Sequence, residues 1–288
     1  MTLINRANQN SPGREASIKI SLIAILVSLL FAPVVFQLIH FWSTREDYSH
    51  GFFIIPLAVF IVWTKRKNLL LLPVEPLWAG LPVLFTGTMA YVVSFMTNFH
   101  TLTHLSMILI ILGLLLFLTG WKITKELLLP ILFLLFMFPI PGSYYVLITN
   151  PLKLLITNIS THIIQFMGFP VYREGNIIFL STTQLEVVEA CSGLRSLYSY
   201  LMIGCLFAFM SHKRMSKIVL ITSTIPLALL INIIRVTGTG ILSNFFGSQV
   251  AQGFFHTFSG LILFVFGFVI LLIEYHFLES GSTKKAVN

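Results

Sequence analysis

The stretch that decides the fold is residues 256–276, HTFSGLILFVFGFVILLIEYH. From Leu261 to Ile273 it contains no charged residue, and a membrane-spanning helix needs about 20 mostly apolar residues. Seven earlier segments are of the same kind: residues 18–39, 50–63, 77–97, 102–119, 127–148, 194–210 and 218–236. The sequence therefore predicts an all-α polytopic membrane protein with about eight transmembrane helices.

Composition supports this class and argues against a nucleic-acid-binding protein. Apolar residues make up 56% of the chain and charged residues 10%, whereas soluble domains carry about 25% charged residues. The net charge of +8 comes from short basic clusters between apolar segments, which is typical of the loops of membrane proteins. We therefore expect membrane lipids and no nucleic acid as partners. No internal repeat appears, and residues 1–288 are interpreted as one integral membrane domain with cytoplasmic tails at 1–17 and 279–288.

The basic residues predict the orientation in the membrane. With eight spans, thirteen of the eighteen fall on one side, which the positive-inside rule makes cytoplasmic. They are Arg6, Arg14, Lys19, Lys65, Arg66, Lys67, Lys122, Lys125, Lys213, Arg214, Lys217, Lys284 and Lys285. Both termini are then cytoplasmic, and Cys191, Arg235 and His256 fall at the opposite, extracytoplasmic face.

Two segments between the fifth and sixth spans are predicted not to cross the membrane. Residues 150–168 mix apolar and polar side chains, so we expect an amphipathic helix lying flat on the outer surface. If this segment spanned the membrane, Cys191 would move to the cytoplasmic side. Residues 171–180 predict a hairpin around Gly175, and residues 185–188 predict a third strand. The prediction is a small extracytoplasmic β element that leads into a helix beginning near Cys191.

The run from Glu189 to Ser196, EACSGLRS, carries the chemistry. Polar groups are costly near a bilayer, so a polar cluster there is by default a candidate functional site. Together with Arg235 and His256, the thiol of Cys191 would provide what cysteine-based acyl transfer requires. A free cysteine can equally be a small buried apolar residue, so the local features alone leave catalysis and packing equally open. Cys205, within a span, is interpreted as a packing residue.

Further polar residues are candidates for supporting this site. Asn232 shares a helix face with Arg235, and a carboxylate near the thiol would orient a cation or the histidine. The run Asp47-Tyr48-Ser49-His50-Gly51 would bind substrate, brace the site or form an ordinary loop. The predicted supporting residues are Glu186, Glu189, Arg195, Asn232, Tyr48 and His50. His100 and His104 are four residues apart but have no acidic or thiol partner nearby, so we expect no metal and no cofactor.

These residues resemble the exosortase/archaeosortase family, and specifically the bacterial exosortases without an additional C-terminal domain. The resemblance rests on Glu189–Ser196 followed by Arg235 and His256, and on the upstream runs Tyr48–Gly51 and Arg173–Asn176. It implies a cysteine transpeptidase of the bacterial inner membrane, with Cys191 as nucleophile and Arg235 and His256 completing a triad. It also implies a substrate class: exported proteins with a C-terminal sorting signal, consisting of a Pro-Glu-Pro-like motif, an apolar helix and a basic tail. The acceptor would be a polysaccharide or a lipid, in association with exopolysaccharide export.

Two other functions are compatible with the same residues. A transporter would use the polar cluster to line a pathway, although transporters usually place ionisable groups near the midplane between repeated halves. A non-catalytic scaffold for polysaccharide export would tolerate alanine at all three candidate catalytic positions.

Overall fold

The computed structural model describes residues 12–187, 194–247 and 254–283. Its helices are α1 (Pro12–Thr44), α2 (Gly51–Leu71), α3 (Gly80–Thr97), α4 (His100–Thr119), α5 (Trp121–Phe133), α6 (Gly142–Phe166), α7 (Leu194–Met210), α8 (Arg214–Phe246) and α9 (Phe254–Thr283). Short 3₁₀ turns lie at Glu46–Tyr48 and Leu134–Met137, and the strands are β1 (Val171–Glu174), β2 (Ile177–Leu180) and β3 (Gln184–Glu186). The prediction of a helical membrane protein with a small β element is confirmed.

The predicted count of eight spans is not confirmed. Among the described residues, five helices are long and apolar enough to cross a membrane, or six if one bent pair counts as a single span. The five are Ser21–Thr44, Gly80–Thr97, His100–Thr119, Arg214–Phe246 and Phe258–Ser280. The segment predicted at 50–63 forms α2, but Lys65, Arg66 and Lys67 lie inside that helix and shorten its apolar part. The segment predicted at 194–210 forms α7, which is apolar but has 17 residues.

The chain breaks where the sequence Pro139-Ile140-Pro141 predicts a break. Proline has no N–H to donate, and it disfavours helical geometry in the residue before it. The helical stretch Trp121–Met137 therefore ends here, and α6 leaves at an angle of 81° to it. The segment predicted at 127–148 is thus not one straight span. Residues 150–166 of the segment predicted to lie flat belong to α6, which continues through Pro151.

The described chain divides into two compact units. One contains the residues up to Arg45 together with Phe52–Phe138, and the other contains Glu46–Gly51 and the residues from Pro139 onward. In the first unit α3 and α4 pack closely, because Gly87 and Gly113 leave room for the facing helix: a Cβ at Gly113 would lie 2.6 Å from the Leu84 nitrogen. Lys65 pairs with Glu126 at 2.7 Å in the same unit. The single-domain interpretation stays a prediction.

In the second unit the three strands form an antiparallel meander in the order β1-β2-β3. The turn between β1 and β2 contains Gly175 at φ 59°, a left-handed geometry that glycine adopts without steric cost, so the predicted hairpin is confirmed. The third strand occupies Gln184–Glu186. One apolar core joins the sheet to α6 and α8, and its buried members are Ile156, Ile164, Ile178, Leu180, Leu185, Val187 and Val236. The sheet is therefore held against the last third of α8.

The helices α7, α8 and α9 pack against one another in the same unit. Tyr200 on α7 is fully buried, and its hydroxyl donates to the carbonyl oxygens of Leu263 at 3.2 Å and Phe264 at 3.1 Å on α9. Gly267 provides the space, because a Cβ there would overlap the Tyr200 hydroxyl. Gly204 does the same between α7 and α8, where a Cβ would lie 2.9 Å from the Leu220 carbonyl oxygen.

We expect Gly267→Ala to destabilise the protein by about 1–3 kcal/mol, because the added methyl group must displace the fully buried Tyr200 side chain. The measurement is the thermal unfolding midpoint of the purified protein in detergent. Gly238→Ala in α8 is the matched control: a Cβ there meets no atom within 4 Å, and alanine favours a helix over glycine. Equal midpoints for Gly267→Ala and the wild type would contradict the account of how α7 packs on α9.

Candidate active site

Arg235 is partly buried on α8 and lies against α9. Its Nη1 atom is 3.6 Å from the position that a Cβ would take at Gly260. His256 precedes Gly260 by four residues in the same helix, which is about one turn. The guanidinium therefore lies close to the part of α9 that carries the candidate histidine.

The start of α7 lies at about the same height along the helix axes as the residues just before Arg235 on α8. These helices run antiparallel, and Gly204 on α7 packs against Leu220 and Thr224 on α8. Moving ten residues back along α7 leads to Leu194, and moving ten residues forward along α8 leads to residues 230–234. Asn232, which is 1% exposed, lies in that range.

Contacts of α8 and α7 with α9 show that the start of α9 lies at the same height along the helix axes. Arg235 lies near Gly260, and Ser223 donates to the Glu274 carboxylate at 2.9 Å. Positions that decrease along α8 thus face positions that increase along α9, so these two helices run antiparallel. Tyr200 contacts α9 between Leu263 and Gly267, and these two helices run parallel. Six residues before these contacts, Leu194 on α7 is level with residues 257–261 on α9. The start of α7, residues 230–235 of α8 and the start of α9 thus lie at one level, to within about a turn.

The candidate catalytic residues differ in what the structure describes. The structure describes the backbone and the exposure of Arg235, and for His256 it describes the backbone in α9. Cys191 and Glu189 lie outside the described residues, between Val187 at the end of the sheet and Leu194 at the start of α7. Val187 shares the apolar core with Val236, the residue after Arg235. The chain on both sides of Cys191 therefore lies in the part of the unit that contains Arg235.

The 46–51 segment also lies beside α7. The Tyr48 hydroxyl accepts a hydrogen bond from the Ile140 N–H at 3.3 Å, and the Tyr48 ring is 6.2 Å from the His50 ring. The His50 ring is in turn 5.8 Å from the ring of Tyr198, in the first turns of α7. Tyr48 and His50 are both buried. The structure thus brings these two predicted supporting residues to the end of α7 that follows Cys191.

The other predicted supporting residues have different surroundings. Arg195 is partly buried in the first turn of α7, and Asn232 is buried one turn before Arg235. Glu186 is exposed on β3 and accepts a hydrogen bond from the Asn176 side chain at 3.4 Å. Within the described ranges, no group of three histidine, cysteine, aspartate or glutamate side chains could hold a metal ion.

Sequence reasoning did not single out Tyr145, Tyr198 or Tyr200. Tyr145 donates to the Asp47 carboxylate at 2.9 Å and lies beside the Tyr48 ring, and Tyr200 connects α7 to α9. The spacing of Tyr198 and Arg195, three residues apart on one helix face, was a usable signal for Tyr198. Tyr145 and Tyr200 gave no such signal, because their partners are distant in the chain.

Fold and site together define a multi-pass helical membrane protein with a polar group of residues at one end of a helix bundle. The family model for transmembrane exosortases matches residues 42–273, which is well over half of the chain and includes parts of both compact units. The chain belongs to the transmembrane exosortase family. No curated protein and no solved structure matches it.

Proposed function

We propose that this exosortase is a membrane cysteine transpeptidase that cleaves a C-terminal sorting signal from exported proteins and transfers them to an acceptor. The signal is a Pro-Glu-Pro-like motif followed by an apolar helix and a basic tail, and the acceptor is a polysaccharide or a lipid. The observation that carries the proposal is the common level of Leu194, Arg235 and Gly260 on three different helices. Cys191 and His256 are close neighbours of these residues in the sequence.

Chain connectivity limits how far Cys191 can lie from Leu194 at the start of α7. Consecutive Cα atoms are about 3.8 Å apart, so the three peptide links between Cys191 and Leu194 span at most about 11 Å. On α9, four residues separate His256 from Gly260, which is about 6 Å along the helix axis. The proposal puts the thiol, the guanidinium and the imidazole in one small region, because nucleophilic catalysis requires such groups within hydrogen-bond reach.

The proposed chemistry is acyl transfer in two steps. The Cys191 thiolate attacks the carbonyl carbon of the scissile peptide bond, and the C–N bond breaks to leave a thioester. The departing amine takes a proton from His256, because an imidazole readily exchanges a proton whereas a guanidinium acts as a fixed positive charge. Arg235 stabilises the oxyanion of each tetrahedral intermediate. An amine or hydroxyl of the acceptor then attacks the thioester, gives its proton to His256 and releases the thiolate.

Helix length supports an extracytoplasmic site. Arg214 and Arg235 are separated by 21 positions of α8, which is about 32 Å, and the hydrocarbon core of a bilayer is about 30 Å thick. Lys213, Arg214 and Lys217 lie at the first end, which the positive-inside rule assigns to the cytoplasm. Arg235 then lies at the outer boundary of the bacterial inner membrane, and both termini are cytoplasmic.

The position of α6 supports the same orientation. Its first turn is tied to the 46–51 segment by the bond from Tyr145 to Asp47, and that segment contacts the beginning of α7. Near its other end, the Ile164 side chain lies 2.9 Å from the Cβ position of Gly240, beyond Arg235 on α8. Both ends of α6 are thus on the Arg235 side, which favours an interfacial helix that does not cross the membrane.

A trapped acyl-enzyme tests this function directly. The purified protein in detergent would be mixed with a peptide carrying the sorting signal, quenched in acid and digested, and the Cys191 peptide examined by mass spectrometry. We expect the mass of the substrate fragment on the side of the motif away from the apolar helix, bound through a linkage that hydroxylamine cleaves. A mutant peptide without the motif is the control. Cleaved substrate with no adduct on Cys191 under any quench time would contradict the mechanism.

A further inference from the structure

We propose that Asn176 is a positioning residue that fixes the direction in which the chain leaves the sheet towards Cys191. This inference rests on the proposed function, since it concerns the placement of the proposed nucleophile. It arises from hydrogen bonds that join two segments eleven residues apart, at the last described position before the EACSGLRS run.

Asn176 is itself held in place by the turn between β1 and β2. Gly175 provides the left-handed geometry of the turn, and Arg173 donates from Nη1 to the Gly175 carbonyl oxygen at 2.9 Å. On the next strand, Ile177 pairs with Glu186. Asn176 therefore sits at a defined point at the end of the β2–β3 ladder.

From this point Asn176 binds both backbone polar groups of Val187. Its carbonyl oxygen accepts from the Val187 N–H at 2.9 Å, and its Nδ2 donates to the Val187 carbonyl oxygen at 3.1 Å. The same Nδ2 donates to the Glu186 carboxylate at a longer 3.4 Å. The β3 strand ends at Glu186, so the asparagine side chain extends the ladder by one residue beyond the last regular pair.

The bond to the Val187 carbonyl oxygen is the one that sets the direction of the chain. The Val187 side chain is 1% exposed in the core with Val236, so one side of the residue is fixed by packing. Fixing the carbonyl group as well removes rotation about its remaining backbone dihedral. Cys191 follows four residues later, and a displacement of about 1 Å in a reacting group can cost about 10²-fold in rate.

The test uses Asn176→Asp, which keeps the size of the side chain and the backbone carbonyl but removes the N–H donors. Glu186→Gln is the reference for the double variant, because the glutamine oxygen still accepts from Asn176. The double variant Asn176→Asp with Glu186→Gln restores a link between positions 176 and 186 and leaves the Val187 carbonyl without its donor. Each is assayed for thioester formation and for alkylation of Cys191 by iodoacetamide, with Cys205 of the same chain as the internal reference.

We expect Asn176→Asp to lower kcat by about 10–100-fold with little change in KM, because the nucleophile is misplaced and the binding surface is kept. The double variant should be slower than Glu186→Gln alone by the same factor of about 10–100, because both proteins lack the Glu186 carboxylate and only the double variant lacks the donor to Val187. The alkylation rate of Cys191 should change relative to that of Cys205, whose own rate should stay constant.

Three results would overturn the proposal: a wild-type kcat in Asn176→Asp, recovery of kcat in the double variant, or a parallel rise in the alkylation of Cys205, which would indicate general loosening of the fold. A Cys191→Ala protein measured alongside separates this from the proposed function. If that protein still processes substrate, the proposed function fails whatever position 176 does.

Discussion

Cys191→Ala is expected to abolish processing of a substrate that carries the sorting signal while leaving the protein in the membrane at wild-type amounts. Loss of the nucleophile removes the covalent route entirely, and comparable losses in other acyl-transfer enzymes reach about 10⁴-fold or more in kcat. The measurement is the ratio of cleaved to full-length substrate in membranes, by immunoblotting, with the variant protein quantified in the same sample.

The second cysteine of the chain gives the matched control for this variant. Cys205 is partly buried in α7 next to Gly204, which packs against α8, so its contribution is to packing. Cys205→Ala should retain processing close to that of the wild type. Full processing by Cys191→Ala would show that Cys191 is not the nucleophile, and it would favour a scaffold or transport role for the polar cluster.

Cys191→Ser adds information about the chemistry. A serine hydroxyl has a much higher pKa than a thiol, and the imidazole that suffices for a thiol is a weaker match for it. We therefore expect Cys191→Ser to be nearly as inactive as the alanine variant, although it differs from the wild type by a single atom. This outcome would separate a role in catalysis from a role in packing, because serine fills almost the same volume.

Local signals in the sequence predicted the elements whose geometry is decided locally. Pro139 and Pro141 break a helix wherever they occur, and Gly175 favours a tight turn, so the break before α6 and the β1–β2 hairpin were both accessible. Hydropathy likewise predicted an apolar segment at residues 194–210, and these residues form α7. In each case the deciding residues lie within a few positions of the feature they determine.

Elements that depend on distant partners were predicted poorly. The span predicted at 218–236 ended too early, because α8 continues to Phe246. Hydropathy missed this extension because residues 237–246 are polar and glycine-rich. That extension is helical where it packs on the sheet, and Thr182 donates to the Asn244 carbonyl oxygen at 3.1 Å. The prolines predict the break before α6, but the 81° angle at which α6 leaves it depends on packing, which hydropathy does not report.

The candidate site shows the same division. Charge counting assigned Cys191, Arg235 and His256 to one face, and it needed no knowledge of contacts. The hydrogen bond from Asn176 to Val187 joins residues 11 positions apart in the chain. The contact between Arg235 and Gly260 joins residues 25 positions apart on two helices. Such pairs follow from the register between helices and strands, which a single sequence does not encode in any local pattern.

Arg235→Ala is expected to lower kcat for thioester formation by about 10²–10³-fold, because the tetrahedral intermediate loses the charge that stabilises its oxyanion. Arg235→Lys should recover little of this loss. A lysine ammonium is a point charge on a flexible stem and lacks the planar fork of the guanidinium, so it does not reproduce a geometry set by the surface of α9. Single-turnover kinetics with a signal-bearing peptide separates the thioester step from product release.

The control for this variant is the residue that borders the guanidinium. A methyl group at Gly260 would lie 3.6 Å from Nη1, which is an ordinary van der Waals distance, so Gly260→Ala should leave the guanidinium in place and keep kcat near the wild-type value. If Gly260→Ala were as slow as Arg235→Ala, the loss would reflect general sensitivity of the α8–α9 contact. If Arg235→Ala kept its activity, the arginine would be an interfacial anchor, and the oxyanion would require another donor at the same level of the bundle.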